Sequence, residues 1–450
     1  MVRAQPIGTP PVDIESGGTQ PIGTQPGDLP SGDSSSGGAP AGPIARLVAT
    51  ADYHRDPYPH LAAVREEHRL WPIGPDTYAL TRYDDVARIL GDRRVGNGPP
   101  VTRPGSAGTV SGLRAAAASA ARPISVLDPP EHDRVRQALS AAFPRSLVAA
   151  LRPRVRALVD DLMTTLAARA PGPIDAVTEL ALPVPLAVIS ELLGVPERDR
   201  AAIAALGPAL AANGDPQELV GPDRSAAARQ AEREFLAIIG RLVVRQRRTP
   251  TGRMLPALLG TQVDGARLAF DELVANIAFL FVNGYHNTVN QITMALRALL
   301  DRPDQLARLR ADPGLVTRAV PELMRFDSPI QSIARVVHQP VEIGGIRLPE
   351  GTQLMALIGA AHRDPRAFAE PDRLDIARVT ARRPLAFGGG AHYCIGAALA
   401  RIEVETLLAA LISRFPGLAP AGAARWSSTF ILRGLDHLPL ELGVPAPAGR

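Results

Sequence analysis

One ten-residue segment constrains this chain more than any other, because it holds the single cysteine close to three consecutive glycines. Residues Phe387–Gly396 read Phe-Gly-Gly-Gly-Ala-His-Tyr-Cys-Ile-Gly, and a helical pattern over Ala397–Phe415 follows. The glycines permit a sharp turn and let the backbone approach a flat object closely, since they carry no Cβ. Cys394 stands at a helix start, where free N–H groups and the helix dipole favour a thiolate. The residues alone leave three roles open for it: nucleophile, metal ligand, or buried and inert side chain.

Composition excludes several classes of protein. A single cysteine in 450 residues forbids an internal disulfide, so the reducing cytosol is the expected location. No uninterrupted apolar run reaches roughly 18–20 residues, and the N-terminus is polar and Pro-rich, so we expect neither a membrane span nor a signal peptide. All 49 basic residues are arginine, and they alternate with acidic residues at a net charge of +4. This pattern argues against nucleic-acid binding.

The first 43 residues differ in composition from the rest. They contain 17 prolines and glycines, no aromatic residue, and the repeat Gln-Pro-Ile-Gly-Thr at residues 5–9 and 20–24. Such a segment cannot bury enough apolar surface to offset its chain entropy, so we predict a disordered tail over 1–43, either inert or a linker or recognition segment. Residues 44–450, with 48 arginines against 41 acidic residues, are predicted to form one large domain.

Hydrophobic periodicity in this domain predicts a mainly α fold with a minor β part. Helices are predicted over Asp84–Leu90, Glu131–Ala142, Pro153–Ala168, Pro185–Leu193, Glu197–Leu206, Ala227–Arg247 and Val404–Phe415. The longest helix is predicted from Asp271, as its N-cap, to Leu300, and its apolar character indicates that it is buried. Strands are predicted over 77–81, 333–337 and 341–346, and a loop over 96–123.

The cysteine segment resembles the haem-ligand loop of the cytochromes P450. That loop reads Phe-x-x-Gly-x-x-x-Cys-x-Gly with a basic residue two before the cysteine, and it is matched by Phe387, Gly390, His392, Cys394 and Gly396. Three further motifs occur in the family's order: Glu322-Leu323-Met324-Arg325 as Glu-x-x-Arg, Arg373 as the third charged residue, and Asp128–Arg136 as the bacterial propionate-binding segment. The resemblance covers residues 51–442 and implies a single P450 fold around a buried haem.

This resemblance implies heme b, with the thiolate of Cys394 as the axial ligand that donates electron density to iron. It assigns cofactor binding to His132, Arg136, Arg335, Phe387, Gly388, His392 and Gly396. The cationic members would pair with two propionates, and Phe387 would shield the sulfur. Glu322, Arg325 and Arg373 are interpreted as a buried structural cluster. Pro321, which lacks an N–H, is expected to begin or kink their helix.

The chain departs from the family pattern on its longest helix. Where the family has Ala/Gly-Gly-x-acid-Thr-Thr, this chain reads Asn283-Gly284-Tyr285-His286-Asn287-Thr288. The candidate catalytic residues are Gly284, His286, Asn287 and Thr288. Gly284 keeps the family's bend, His286 replaces the acid and Asn287 replaces the first threonine. Both replacements still exchange hydrogen bonds or protons.

The departure leaves several interpretations of the reaction open. In the first, Asn287 holds a water while a substrate hydroxyl supplies protons. In the second, the enzyme catalyses oxidative coupling, ring closure or a rearrangement, which needs less proton delivery. In the third, Asn287 does the work of threonine in an ordinary hydroxylation. A haem-binding protein without turnover is the alternative from a different class.

By resemblance, the chain is a monooxygenase that oxidises a small organic substrate, of secondary-metabolite type, with dioxygen. No Gly-rich dinucleotide loop occurs in a βαβ context, so electrons are expected from a separate ferredoxin and its ferredoxin reductase. Arg134 and Arg401 are candidate docking contacts for that acidic partner. We expect a monomer that binds neither nucleic acid nor membrane.

The substrate class is open between terpenoids, polyketides, and peptides or amino acids, free or bound to a carrier protein. The predicted pocket comprises Phe279, Asn283, Ile330, Gln331, Ile333, Phe430 and Ile431. Tyr285, Gln331 and Asn287 are its candidate polar contacts. Phe279, Asn283 and Asn287 share one helix face by their spacing of four. Each apolar member could equally belong to the core.

Overall fold

Helical periodicity dominates the sequence after the tail, and helices dominate the structure. The computed structural model describes residues 42–48, 50–98, 122–211, 214–215 and 219–447. They belong to one compact unit, Ala41–Arg450. The tail predicted over 1–43 lies outside the described residues up to residue 41, and most of the loop predicted over 96–123 does so too.

The α-helices of the described residues bear out the mainly α prediction. They are α1 (Pro43–Val48), α2 (Ala51–Arg55), α3 (Tyr58–Glu67), α4 (Tyr83–Gly91), α5 (Glu131–Ala142), α6 (Arg145–Ala167), α7 (Pro183–Leu193), α8 (Glu197–Ala211), α9 (Pro222–Arg248), α10 (Met254–Gly260), α11 (Phe270–Leu300), α12 (Pro303–Ala311), α13 (Val316–Phe326), α14 (Ile358–His362) and α15 (Ala397–Arg414). A π-helix over Ala176–Ala181 leads into α7, and a 3-10 turn over Gly390–His392 precedes α15.

Several helix starts differ from the prediction, among them that of α9, which begins at Pro222 and not at Ala227. Three others concern a proline or the N-cap of α11. Helix α6 begins at Arg145 after an extended Pro144, so Pro153 lies inside it, on an exposed face where the carbonyl it leaves unpaired stays solvated. Helix α13 begins at Val316, so Pro321 does not start it. Helix α11 begins one residue before Asp271: its N-cap is Ala269, whose N–H donates to the Glu272 carboxylate at 2.9 Å.

Helix α11 forms the centre of the molecule. Its 31 residues extend about 45 Å at 1.5 Å per residue. It packs against α7, α9, α13 and α15, and its buried side chains join the largest hydrophobic core. The Asn276 side chain accepts a 2.8 Å hydrogen bond from the N–H of Ile124, which fixes the segment leading into α5. Groups carried by α5, α7 and α15 are thereby placed around the middle of one helix.

The β part is a five-stranded sheet with smaller ribbons. The strands are β1 (Leu70–Gly74), β2 (Thr77–Leu80), β3 (Val95–Gly96), β4 (Pro173–Asp175), β5 (Ser332–Val337), β6 (Val341–Ile343), β7 (Ile346–Leu348), β8 (Gln353–Leu357), β9 (Ala419–Pro420), β10 (Arg425–Trp426), β11 (Leu435–His437) and β12 (Pro439–Glu441). The large sheet has the order β1-β2-β8-β5-β3, parallel only between β2 and β8. The single strand predicted over 341–346 is the hairpin β6–β7, which turns at Gly344 and Gly345, both at positive φ.

One segment, Ala176–Leu193, passes the length and composition test for a membrane span, with a mean hydropathy of 1.7. It consists of the π-helix and α7. More than half of it, 56%, is buried inside the protein, where it packs beneath α11 and α6. Its apolar character is that of a core helix.

Candidate active site

The loop before α15 folds tightly because two of its glycines adopt the left-handed region. Gly388 and Gly390 have φ of +71° and +61°. The Cys394 N–H donates to the Phe387 carbonyl at 3.0 Å, which closes the turn. A Cβ on Gly390 would lie 2.5 Å from the Leu90 carbonyl oxygen. The glycine therefore allows the loop backbone to pack closely against the end of α4.

The surroundings of Cys394 act on the pKa of its thiol in two opposite directions. The residue is solvent-accessible, yet surrounding protein is dense enough that burial raises the pKa of the thiol. The backbone N–H groups of Gly396 and Ala397, together with Arg136, act in the opposite direction and favour the thiolate. The helix start that the sequence predicts to stabilise an anion is therefore present, but the effect of burial on the thiol pKa is larger.

Four side chains of basic residues gather beside the cysteine loop. The rings of His132, on α5, and His392, in the loop, lie 4.2 Å apart between centroids. Arg335, on β5, is only 3% exposed, and burial lowers its pKa to about 10. Burial lowers the pKa of His392 to about 4, and His132, Arg335 and Arg136 lower it further by charge repulsion. We name His132, Arg136, Arg335 and His392 the cation cradle.

The cradle has unused donor capacity. His132 Nδ1 contacts Asp133 at 3.0 Å, but its buried Nε2 has no hydrogen-bond partner among the described residues. Among the described residues, the buried Arg335 guanidinium donates one hydrogen bond, to the adjacent Ala334 carbonyl at 2.9 Å. Buried cationic groups are normally paired, so the cradle fits a ligand with anionic groups.

Glu322 and Arg325 belong to a buried charged cluster, as predicted, but the prediction that Arg373 is its third member is wrong. Glu322 and Arg325 form a buried bidentate pair at 2.7 and 2.8 Å. The third member is Arg378, whose Nε donates to Glu322 at 2.9 Å. The Arg373 guanidinium is exposed and pairs with Glu370, because the chain turns it outward. The carbonyl of Arg373, instead, accepts from Arg325 and Arg378.

The middle of α11 carries a ladder of amide side chains. Asn287 Nδ2 donates to Asn283 Oδ1 at 3.2 Å, and Asn283 Nδ2 donates to the Phe279 carbonyl at 2.9 Å. The buried Asn287 Oδ1 has no partner among the described residues, so it remains free to accept a hydrogen bond. Burial lowers the pKa of His286 to about 4, so that imidazole is neutral near pH 7.

Gly284 and Tyr285 face neighbouring helices. A Cβ on Gly284 would lie 2.9 Å from Ile189 Cδ1, so the glycine allows α11 to pack closely on α7. Tyr285 is 2% exposed, and its hydroxyl lies against Gly207 of α8. A bend was expected at Gly284, but α11 is helical without interruption from Phe270 to Leu300. Tyr285 is packed in the core and is not a polar contact of the predicted pocket.

A buried acid that the sequence interpretation missed lies behind Thr288. Glu403, on α15, is 2% exposed and lies beside Thr288, whose hydroxyl donates to the Gly284 carbonyl at 3.4 Å. Burial raises the pKa of Glu403 to about 8, so it is mostly protonated near pH 7. Its Oε2 has no partner among the described residues. The spacing of four to Leu399 and Leu407 places it on an apolar helix face, and that is the signal that could have identified it.

The predicted pocket residues divide between open and closed surroundings. Phe279, Asn283, Ile330, Ile333 and Ile431 are partly exposed. Phe430 is 4% exposed and belongs to a core cluster that includes Trp71 and Leu357. For this residue the alternative of a core position therefore holds. Gln331 is buried, with its amide donating to the Ser328 carbonyl. The partly exposed members border α11 and the start of β5.

Comparison with known proteins decides the family. A family model described as cytochrome P450 matches residues 244–426. The cytochrome P450 monooxygenase PikC of Streptomyces venezuelae is 37% identical over 408 residues, which are 89% of this chain and 94% of PikC. This chain belongs to the cytochrome P450 family.

Two further comparisons extend the P450 assignment. The 6-deoxyerythronolide B hydroxylase of Saccharopolyspora erythraea is 35% identical over 404 residues, 87% of this chain and 97% of that enzyme. The crystal structure of P450BioI in complex with hexadec-9Z-enoic acid ligated acyl carrier protein matches with a TM-score of 0.78 at 27% identity. It covers 88% of this chain and 100% of P450BioI. The chain is a P450 monooxygenase, and the family implies a haem iron as its cofactor.

The described residues fit a haem. Its two propionates are the kind of anionic group that the cradle lacks, and the orphaned Nε2 of His132 is a ready donor to a carboxylate. Its iron would supply the positive charge that stabilises a thiolate at Cys394, against the burial that now raises that pKa. Arg401 stacks 5.1 Å from the Phe387 ring centroid and so braces the phenyl group beside the loop.

Proposed function

We propose that this P450 oxidises a small, largely apolar organic molecule with dioxygen at a heme b held by Cys394. The observation that carries the proposal is the placement of the single cysteine, in the loop that carries His392 and close to Arg136 of the cation cradle. When bound, the haem supplies the redox centre at which dioxygen is reduced. Phe387, Gly388 and Gly396 shape the loop around the sulfur, and His132, Arg136, Arg335 and His392 bind the propionates.

Proton handling is assigned to residues on two helices. Asn287 offers its free Oδ1 to a water or a substrate hydroxyl. Glu403 holds a proton near pH 7 and lies beside the Thr288 side chain. Because His286 is neutral near pH 7 and its remaining N–H is a very weak acid, we assign the role of the family's helix acid to Glu403. This arrangement favours hydroxylation assisted by Asn287 and Thr288.

Oxidative coupling or ring closure is the second candidate reaction. Asn287 and His286 favour it, because they stand where the family has a threonine and an acid. In such a reaction both oxygen atoms leave as water, and two of the hydrogens come from the substrate. The two candidates differ in their products: hydroxylation adds an oxygen atom to the substrate, whereas coupling removes hydrogen and joins two positions.

A secondary-metabolite substrate is supported by the relatives, one of which is named for hydroxylating 6-deoxyerythronolide B. A carrier-bound substrate is supported by the P450BioI complex with an acyl carrier protein. The partly exposed side chains Phe279, Ile330, Ile333 and Ile431 supply apolar contacts, and Asn283 and Asn287 supply polar ones. We place the protein in the cytoplasm as a monomer.

Electrons are proposed to come from a ferredoxin and its reductase. The Arg134 guanidinium is ion-paired with Glu272, so part of its charge is already neutralised. We expect Arg134→Gln to slow reduction by ferredoxin and to weaken its dependence on salt. Glu272→Gln, which frees Arg134, should speed it. Reduction kinetics unchanged in both variants would reject this docking site.

The proposed function is tested by reconstitution with ferredoxin, its reductase and NADPH. Terpenoids, polyketides, amino acids and carrier-bound acyl or peptidyl compounds are first screened for a type I spectral shift. Mass analysis of products from each hit should show oxygen added to the substrate. Products that have lost two hydrogens without gaining oxygen would establish the coupling alternative. Spectral binding without any turnover would contradict the proposal.

A further inference from the structure

Asp128, just before α5, binds three donors from two other segments. Its Oδ1 accepts the Asn97 N–H at 2.8 Å, and its Oδ2 accepts the Gly98 N–H. His338, which follows β5, contacts the same Oδ2 through Nε2 at 2.9 Å. The main-chain carbonyl of Asp128 accepts the His132 N–H at 2.9 Å in the first turn of α5.

The backbone is built closely around this carboxylate. A Cβ on Gly96 would lie 2.5 Å from Asp128 Oδ1, and a Cβ on Gly98 would lie 2.6 Å from Oδ2. Real Cβ atoms essentially never approach so closely, so any side chain at either position would displace the carboxylate. Burial alone would raise the pKa of Asp128, but the two N–H groups and His338 hold it below its usual value. Asp128 is therefore ionised at neutral pH.

Each segment that Asp128 joins leads to a member of the cation cradle. Helix α5 carries His132 and Arg136. Strand β5 carries Arg335, and β3, which leads to Asn97 and Gly98, pairs with β5 at Val95–Val337. The negative charge of Asp128 attracts Arg335 and so opposes the effect of burial on the pKa of that guanidinium. It acts on His392 in the same direction.

We propose that Asp128 is a positioning residue for the haem propionates: its carboxylate fastens β3 and β5 to the start of α5, so that His132 and Arg335 face the same ligand. This inference rests on the proposed haem site and adds to it a residue that does not contact haem. The geometry predicts that loosening the carboxylate moves the cradle cations away from the propionates.

The charge of Asp128 and its positioning role have opposite effects on the strength of haem binding, which makes the proposal testable. A negative charge near the cradle repels the propionates, so a purely electrostatic Asp128 would weaken haem binding, and Asp128→Asn would slow haem loss. A positioning Asp128 strengthens binding, since the amide cannot accept the Gly98 N–H and the His338 N–H as the carboxylate does. Asp128→Asn should then speed haem loss.

The experiment measures transfer of haem from the purified holoprotein to apomyoglobin. We expect Asp128→Asn to release haem about tenfold faster than wild type, as is common when a residue that orients ligand-binding groups is changed. Glu131→Gln is the matched control, because it removes an equal charge three residues away, from an acid paired with Arg122 at the surface. Its rate should equal that of wild type.

Gly98→Ala tests the same positioning without a change of charge, and it also serves if Asp128→Asn does not fold. Haem loss should again be faster, and the reduction potential of the haem should fall, because cations leave the propionates. A residue that only supports the fold would leave the potential unchanged, and that result overturns the proposal. So does a wild-type or slower rate in Asp128→Asn. If wild-type protein itself binds no haem, the proposed function fails first, and the role of Asp128 fails with it.

Discussion

The cysteine loop and the middle of α11 follow the family pattern to different degrees. The loop keeps every element of the family motif, and the cation cradle lies beside it at the positions that the motif implies. Helix α11 replaces the acid with His286 and the first threonine with Asn287. Under the proposed function, the loop holds the haem that the family shares, whereas α11 contacts the substrate, which differs between family members.

Helix α15 connects the two regions. Its first turn follows Cys394, and Glu403, two turns later, lies beside Thr288 of α11. Under the proposed function, Glu403 is the acid that takes the place of the one missing from α11, and it comes from the helix that follows the thiolate loop. In that account, a side chain lost in one region is replaced by one from a neighbouring element that packs on the same helix.

The largest expected effect concerns the buried charged cluster of Glu322, Arg325 and Arg378. Arg325→Ala leaves the buried Glu322 carboxylate without its bidentate partner, so the free energy of unfolding should fall by about 3–5 kcal/mol. Arg378→Ala should cost less, about 1.5–3 kcal/mol, since it removes one charged hydrogen bond to Glu322. Arg373→Ala is the control and should change stability by less than about 0.5 kcal/mol. Urea denaturation measures all three, and a larger loss in Arg373→Ala than in Arg378→Ala would restore the original assignment.

The next effect is a pH dependence of the free energy of unfolding, and it comes from Glu403 on α15, the helix that connects the two regions. Burial raises the pKa of Glu403 to about 8, above its value in the unfolded chain, so its protonated form stabilises the fold at low pH. That contribution is complete below about pH 4.5 and is lost as pH rises to about 8. Wild-type stability should therefore fall over this window more steeply than that of Glu403→Gln, as measured by urea denaturation at several pH values. Parallel profiles for the two proteins would show that Glu403 is not a buried acid.

The smallest effect concerns Asn287, because its amide can already form the hydrogen bonds of a threonine hydroxyl. Asn287→Thr should raise the fraction of NADPH consumption coupled to product by a few-fold at most, with the same product. Product analysis beside NADPH oxidation checks this. A change from coupled or cyclised product to hydroxylated product would instead establish that Asn287 sets the reaction type.

Much of the fold could be predicted from the sequence, because helices such as Glu131–Ala142 have clear periodicity and matching ends. The strand predicted over 341–346 was wrong because Gly344 and Gly345 allow a two-residue turn that a hydrophobic pattern does not distinguish from an extended run. Position in a motif located the cysteine loop and the residues of the cradle. It did not identify which of two nearby arginines faces Glu322, because that choice depends on the path of the chain over 370–378.

Residues outside a motif were the hardest to find. Glu403 is one acid on an apolar helix face, and its role depends on the neighbouring Thr288 of a helix more than a hundred residues earlier. Asp128 belongs to a motif, but its partners Asn97, Gly98 and His338 come from other segments. Such contacts follow from the tertiary fold, which local sequence patterns do not contain.

The central claim is that Cys394 holds the haem iron through its thiolate. The most direct measurement is the carbon monoxide difference spectrum of the dithionite-reduced protein, compared between wild type and Cys394→Ser. The wild-type protein should show the red-shifted band typical of thiolate ligation, and the variant should lose it together with all oxidation of substrate. A wild-type spectrum typical of histidine-ligated haem, or a thiolate band that persists in Cys394→Ser, would contradict the account.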